Sequence, residues 1–154
     1  MNINIITTAA PPWKTGTATN PSLRAAYLSD MGFTVSIVYP WISRIDQEFL
    51  FGYSFESKKA QEAYILAWIQ TSVDISVDIH IFWYDAVYEH DIRSIIQDDD
   101  VDISSIIPDA LKGTLILEEP EHLMWFHRGR FWKNYDIIIG IVHTNYHYYA
   151  SERD

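Results

Sequence analysis

Short apolar runs alternate along this chain with longer segments of mixed polarity. The apolar runs lie at 2–7, 33–39, 78–84, 115–117 and 137–142, and the clearest helix-like pattern lies at 57–71. A short continuous apolar run is typical of a strand that is buried on both faces. Such strands alternating with helices predict a Rossmann-like α/β domain, a mostly parallel sheet of about five strands flanked by helices.

The first third of the chain predicts a βαβ unit. Its loop at 8–20 is rich in Pro, Thr and small residues and contains Gly16. A helix is predicted at 21–30, because Asn20 is a favourable N-cap and Pro21 fits the first helical turn. The loop would then lie at the carboxyl end of the first strand, where open parallel sheets bind ligands.

The middle of the chain is less regular. An irregular segment is predicted at 40–52, and a helix capped by Ser57 follows at 57–71. The predicted apolar stripe of this helix consists of Ala60, Tyr64, Ala67 and Trp68. The segment 85–109 is predicted to be the least structured, and its acidic run at 98–100 is expected to be a solvated loop.

The stretch 113–149 carries the most informative pattern. Its two apolar runs predict two buried parallel strands joined by a helical segment, and a polar cluster follows each run. The clusters contain Glu118, Glu119, Pro120, Glu121 and His122, and then His143, Thr144, Asn145 and Tyr146. Both clusters are expected at the ligand-binding edge of the sheet. A last helix is predicted at 145–153.

The residues of these clusters allow more than one interpretation. The three glutamates suit acid–base work or the binding of sugar hydroxyl groups, and equally suit a helix N-terminus. His143 and His147 could form a metal pair completed by Glu118 or His122. His143 could instead hydrogen-bond a ligand or exchange a proton with it, or be structural. The loop at 15–17 is either an anion-binding loop before a helix or a structural turn.

Aromatic and basic residues crowd the segment 125–133. Trp125 and Trp132 lie there among Arg128, Arg130 and Lys133. A helix with aromatic and cationic side chains can lie on a membrane interface. The alternative is core packing with solvated basic ends.

Composition narrows the class of protein. A chain of 154 residues that is 48% hydrophobic and 21% charged is expected to fold as one globular domain. The net charge of −10 argues against nucleic acid as a partner, and the absence of cysteine excludes thiolate chemistry. No signal, transit or transmembrane segment is evident, so a cytoplasmic location, or a peripheral one on a cytosol-facing membrane, is expected.

Several segments together resemble one family. They are TTAAPPWKTGTATNPSLRAAY at 7–27, VYPWISRIDQ at 38–47, Tyr-Ile-x-x-Trp at 64–68, LILEEPEHL at 115–123 with Trp125, and GIVHTNYHYY at 140–149. In this order they are similar to the N-terminal half of the digalactosyldiacylglycerol synthases, retaining family 4 glycosyltransferases of GT-B fold. The resemblance implies transfer of galactose from the nucleotide sugar UDP-galactose to a galactolipid acceptor, with no cofactor and no catalytic metal.

The resemblance also implies roles for particular residues. His143, Glu119 and Glu121 would be the catalytic residues, which position the reacting sugars by hydrogen bonds. The substrate-binding residues would be Thr15, Gly16, Thr17, His122, Thr144 and Asn145. The loop at Gly16 would approach the donor phosphates.

The resemblance covers only the acceptor-side half of a GT-B enzyme. Residues 1–154 are expected to form a single acceptor-side domain, incomplete at its C-terminal end and without the donor-binding domain. The isolated chain is expected to be inactive without that domain, which a second polypeptide could carry if the chain is half of a split enzyme rather than a truncated gene product or an excised fragment. Two alternatives remain, a non-catalytic module that binds a glycolipid or a membrane, and a glycosyltransferase of the same fold with a different acceptor.

Overall fold

A computed structural model of the chain describes residues 1–98, 100–125, 128–144 and 151. The strands are β1 (Asn2–Ile6), β2 (Thr34–Trp41), β3 (Ile79–Glu89), β4 (Ser94–Gln97), β5 (Thr114–Glu118) and β6 (Ile138–Ile141). The helices are α1 (Gly16–Asp30), α2 (Arg44–Phe51), α3 (Lys58–Val73) and α4 (Pro120–Leu123), with 3-10 turns at Ile103–Ser105, Asp109–Leu111 and Arg128–Asn134. The strands form one sheet in the order β4-β3-β2-β1-β5-β6.

The prediction of a Rossmann-like, mostly parallel sheet is confirmed. Every strand pair is parallel except β3 with β4. From β1 the chain first adds strands on one side of the sheet and then returns to place β5 and β6 on the other side. The strand order therefore reverses at the boundary between β1 and β5, and such a switch point opens a crevice at the carboxyl ends of the strands.

Apolar side chains cover both faces of the central strands. On one face Ile5 and Ile37 pack with Ile65 and Ile69 of α3. On the other face the core contains Val38, Leu115, Leu117, Ile103 and Trp132. Burial on both faces explains why β2 and β5 read as almost continuous apolar runs. In β1 the buried Asn4 interrupts the run, and its side-chain amide donates to the Leu111 carbonyl oxygen at 2.9 Å and accepts from the Gly113 N–H at 2.8 Å.

Helix α1 begins at Gly16, earlier than the predicted start near Asn20, so Pro21 lies inside the helix. A proline in a helix removes the N–H that would bond to the carbonyl four residues before it, here the carbonyl of Thr17. The Thr7 hydroxyl donates a hydrogen bond to this Thr17 carbonyl oxygen. A contact from β1 thus satisfies the acceptor that Pro21 leaves, which a local sequence pattern does not show.

Two segments predicted to be irregular are ordered. The segment 40–52 contains α2, where the Ser43 Oγ accepts a hydrogen bond from the Asp46 N–H at 3.1 Å and Gly52 ends the helix at a φ of 81°. The segment 85–109 contains the end of β3 and all of β4, which pair as an antiparallel hairpin. Both ordered pieces are short, and tertiary contacts rather than local pattern stabilise elements of this length.

Helix α3 is confirmed, with Ser57 as its N-cap, but the predicted stripe is correct only in part: Tyr64 and Trp68 are half-buried and pack against the core. Its buried residues are Gln61, Ile65 and Ile69, whereas Ala67 is exposed. Gln61 is buried because its side-chain amide donates a hydrogen bond to the Pro11 carbonyl oxygen at 2.8 Å, which ties the loop after β1 to this helix. A buried glutamine on the inner face shifts the apolar stripe by one position.

Strands β5 and β6 are parallel neighbours, as predicted, but only β5 is buried. Ile138 and Ile139 of β6 are 42% and 46% exposed. The prediction of two buried strands is therefore wrong for β6, which lies at the edge of the sheet. The predicted helix at 145–153 lies outside the described residues, except for residue 151. Within the described part of the chain, no helix is long and apolar enough to cross a membrane.

Candidate functional site

The carboxyl ends of β1, β5 and β6 surround a polar cavity of about 420 Å³ at the switch point of the sheet. Side chains from five parts of the fold line it, among them Thr8, Thr17, Arg93, Glu119 and His143, with Gly16 at the start of α1. Its volume lies in the range of about 300–1,000 Å³ that small-molecule sites occupy. This polar cavity is the best-defined candidate site among the described residues.

A buried carboxylate supports one wall of the polar cavity. Glu118, at the end of β5, has a fully buried side chain. Its Oε1 accepts a hydrogen bond from the Arg24 Nε–H of α1 at 2.8 Å, and its Oε2 lies 2.6 Å from the His143 Nε2. Because an ionised carboxylate can only accept, the His143 Nε2 carries the proton in this pair. The imidazole is thereby fixed with its Nδ1 near Gly16.

The N-terminus of α1 lines the polar cavity beside His143. Its N-cap, Thr15, makes no side-chain capping bond to the helix N–H groups, although its hydroxyl lies 3.2 Å from the Thr17 hydroxyl. The first backbone N–H groups of a helix attract anions. A Cβ atom at Gly16 would lie 3.6 Å from both the His143 Nδ1 and the Asn20 Nδ2, which is ordinary contact distance. Packing therefore does not require glycine at position 16. Because glycine has no side chain, this position leaves room for a ligand.

Glu119 turns towards the cavity through an unusual backbone conformation. Its φ is 58°, in the left-handed region, and its carboxylate Oε2 accepts a hydrogen bond from the Thr8 hydroxyl. Such strain in a residue other than glycine costs of order 1–3 kcal/mol and is most often found at functional sites. The loop after β1 is fixed in turn by Tyr84, whose hydroxyl donates to the Thr7 carbonyl oxygen at 2.9 Å. Burial, with a further contribution from the Glu119 carboxylate, raises the pKa of Tyr84 well above its usual range, so it remains a neutral donor.

The structure brings together some of the predicted site residues. Thr15, Gly16, Thr17, Glu119 and His143 all line the polar cavity. Glu121 lies in the first turn of α4, away from this lining, and His122 lines a neighbouring cavity. Thr144 is half-buried beyond β6, and Asn145 and His147 lie outside the described residues. Within residues 1–98, 100–125 and 128–144, no cluster of three or more His, Asp or Glu side chains could hold a metal ion.

Sequence reasoning missed several residues of the site. Arg93 lines the polar cavity from the turn before β4, in a segment predicted to be unstructured. Arg24 was read only as part of a helix, and Thr8 only as part of a loop. Thr8 follows an apolar strand directly, as Glu119 and His143 do. This position at the carboxyl end of a strand could have identified Thr8 as a candidate site residue. Arg24 carried no signal, because its partner Glu118 is 94 residues away.

The two tryptophans predicted to contact a membrane differ in burial. Trp125 is 58% exposed, whereas Trp132 is 1% exposed and its indole N–H donates to the Leu123 carbonyl oxygen at 3.4 Å. The prediction of membrane contact is therefore wrong for Trp132, which is part of the core. Trp125 keeps an exposed apolar surface.

The fold and the cavity together define a Rossmann-like α/β domain with a ligand crevice at its topological switch point. No model of a known protein family matches the chain. Over 97% of its length it is 43% identical to digalactosyldiacylglycerol synthase 2, chloroplastic, from Glycine max, and 44% identical to the protein of that name from Arabidopsis thaliana. Over 94% of its length it is 42% identical to digalactosyldiacylglycerol synthase 1, chloroplastic, from Glycine max.

These relatives are longer than the chain. It spans 33% of the Glycine max synthase 2 and 19% of the Glycine max synthase 1. The resemblance to the digalactosyldiacylglycerol synthases is thus confirmed over almost the whole of this chain and over about a third of the synthase 2 proteins. Over that part its sequence is similar to these synthases, and its structure is a Rossmann-like α/β domain.

Proposed function

We propose that the chain is the N-terminal, acceptor-side half of a retaining GT-B glycosyltransferase that transfers galactose from UDP-galactose to a galactolipid. Its sequence similarity covers 97% of the chain, and the relatives are named as synthases of digalactosyldiacylglycerol. The observation that carries the proposal is the polar cavity, where the Gly16 loop, Glu119 and His143 meet at the switch point. These residues come from three separate segments that the resemblance had marked.

The chemistry of the cavity suits a nucleotide sugar and a second sugar. The N-terminus of α1 and the Arg93 guanidinium are suited to the donor phosphates. Glu119 can accept hydrogen bonds from sugar hydroxyl groups, and His143 presents its Nδ1 to a ligand while Glu118 holds the other ring nitrogen. In this proposal the cavity positions the two sugars, and the donor-binding domain, on a second polypeptide or a further segment, completes the cleft.

A chimaera tests the proposed function. In the Glycine max synthase 2, the segment that matches this chain is replaced by residues 1–154, and galactose transfer from labelled UDP-galactose to monogalactosyldiacylglycerol is measured. We expect transfer by the chimaera and none by the isolated chain. The variant His143→Ala should lower kcat by about 10²-fold through loss of orientation.

The controls separate folding from function. Thermal melting establishes that the chimaera and its His143→Ala variant are folded, and the relative lacking the matched segment gives the background rate. A folded chimaera without transfer activity would refute the proposal, as would full activity after loss of the His143 imidazole.

Gly16→Ala should impair transfer without impairing folding. A Cβ atom there meets only ordinary contacts, and alanine favours a helix over glycine by up to about 1 kcal/mol. We therefore expect an unchanged or slightly higher melting temperature together with a several-fold higher KM for UDP-galactose, because the methyl group occupies the cavity. The measurement is steady-state kinetics of the chimaera.

Gly113→Ala is the matched control for that substitution. A Cβ atom at Gly113 would lie 2.1 Å from the Asn2 backbone oxygen, a distance that atoms do not tolerate. This variant should lose stability by about 1–3 kcal/mol or more. An unchanged KM for Gly16→Ala would contradict the assignment of the loop to the donor.

One observation favours a second function, a non-catalytic module that binds glycolipid membranes. Trp125 is exposed beside a neighbouring apolar cavity. This candidate requires the isolated chain to co-sediment with galactolipid vesicles and to lose that binding in Trp125→Ala. If the isolated chain binds vesicles and the chimaera is inactive, the results favour a non-catalytic glycolipid-binding module over half of a galactosyltransferase.

A further inference from the structure

A second cavity adjoins the polar cavity and differs from it in chemistry. It has a volume of about 360 Å³ and lies between the β3–β4 hairpin and α4. Its wall is mainly apolar and includes Ile95, Ile96, Leu123 and the ring of Tyr84. Thr8 and Ile95 line both cavities, so the two share a wall.

The apolar surface of this second cavity continues to the outside of the protein. Ile95, Leu123 and Tyr84 are buried at 4%, 2% and 2% exposure, whereas Ile92 and Trp125 are exposed at 56% and 58%. All five side chains line the same cavity. A ligand there would have apolar contacts from the interior to the rim, an arrangement that favours a chain of methylene groups over a compact polar molecule.

We propose that this apolar cavity holds the alkyl or acyl part of a glycolipid whose sugar occupies the polar cavity. The proposal rests on the proposed function, which assigns sugar binding to the polar cavity. The ligand must then be amphiphilic, with its polar and apolar parts meeting near Thr8 and Ile95. The net charge of −10 disfavours anionic lipids, so an uncharged glycolipid fits best.

The test compares two galactosides that differ only in their apolar part. Methyl β-galactoside and octyl β-galactoside, the latter below its micelle concentration, are titrated into the 154-residue chain, and binding is followed by calorimetry and ligand-observed NMR. The octyl compound should bind at least tenfold more tightly, because its chain removes apolar surface from water.

Variants locate the binding of the octyl chain. Ile92→Glu places a charge at the exposed rim, and Ile96→Phe fills part of the cavity, so each should abolish the tenfold preference. Ile45→Glu is the matched control, because it makes the same substitution at a residue that is 79% exposed and lines neither cavity. It should keep the preference.

The outcomes distinguish this inference from the proposed function. Equal affinity for the two galactosides, or a preference that survives in both Ile92→Glu and Ile96→Phe, would overturn the apolar site even if the chimaera transfers galactose. A preference for the octyl compound that is lost only in these two variants supports the apolar site. It does so even if the chimaera is inactive, because an inactive chimaera counts only against the proposed galactose transfer.

Discussion

Glu118→Ala is expected to lower the free energy of unfolding by about 2–3 kcal/mol and the kcat of the chimaera by about 10²-fold. The substitution leaves Arg24 without its carboxylate, and breaking a fully buried pair costs about 3–5 kcal/mol. We expect less than that here, because the Arg24 side chain is 34% exposed and water screens its charge. The kinetic loss follows because the His143 ring loses the contact that orients it.

Urea denaturation of the chain measures the stability term, and steady-state kinetics of the chimaera measures the catalytic term. Glu118→Gln separates the two, since it keeps the shape but removes the charge. This variant should recover part of the stability but leave kcat low, with KM for UDP-galactose nearly unchanged. If Glu118→Gln restores both properties fully, the negative charge of Glu118 is not needed, and a neutral hydrogen-bonding side chain is enough to position His143.

Trp132→Ala is expected to destabilise the chain more than any other single substitution considered above, by about 3–5 kcal/mol. The indole is 1% exposed, lies in the core beside β5 and donates a hydrogen bond to the Leu123 carbonyl oxygen. Alanine would leave a large cavity and an acceptor without its donor. The loss is measured by the midpoint of urea denaturation.

Trp125→Ala is the matched control for this second substitution. Its side chain is 58% exposed, so the stability should change by no more than about 0.5 kcal/mol. Loss of vesicle binding in this control, without loss of stability, would locate a membrane contact at Trp125. A Trp132→Ala variant as stable as the parent chain would contradict the burial of this indole.

The fold class was predictable because a strand that is buried on both faces of the sheet consists mainly of apolar residues. Strands β2 and β5 are almost continuous apolar runs, and α3 begins at a serine cap. The prediction failed where a helix or a strand depends on contacts between residues that are far apart in the sequence. The start of α1 depends on the Thr7 hydroxyl, and the β3–β4 hairpin depends on pairing at the edge of the sheet.

The candidate site was predictable in part for the same reason. Polar residues directly after an apolar strand lie at the carboxyl edge of the sheet, which correctly marked Glu119 and His143. The same rule could not separate Glu121 and His122 from them, because a short helix at once carries these two residues away from the edge.

The sequence by itself determined the α/β fold class, the edge of the sheet where polar residues collect, and the similarity to the digalactosyldiacylglycerol synthases. The tertiary structure alone decided which carboxylate faces which partner. Glu118, the last residue of β5, is fully buried and meets Arg24 and His143 in the interior. Glu119, turned by its φ of 58°, meets Thr8 in the cavity instead.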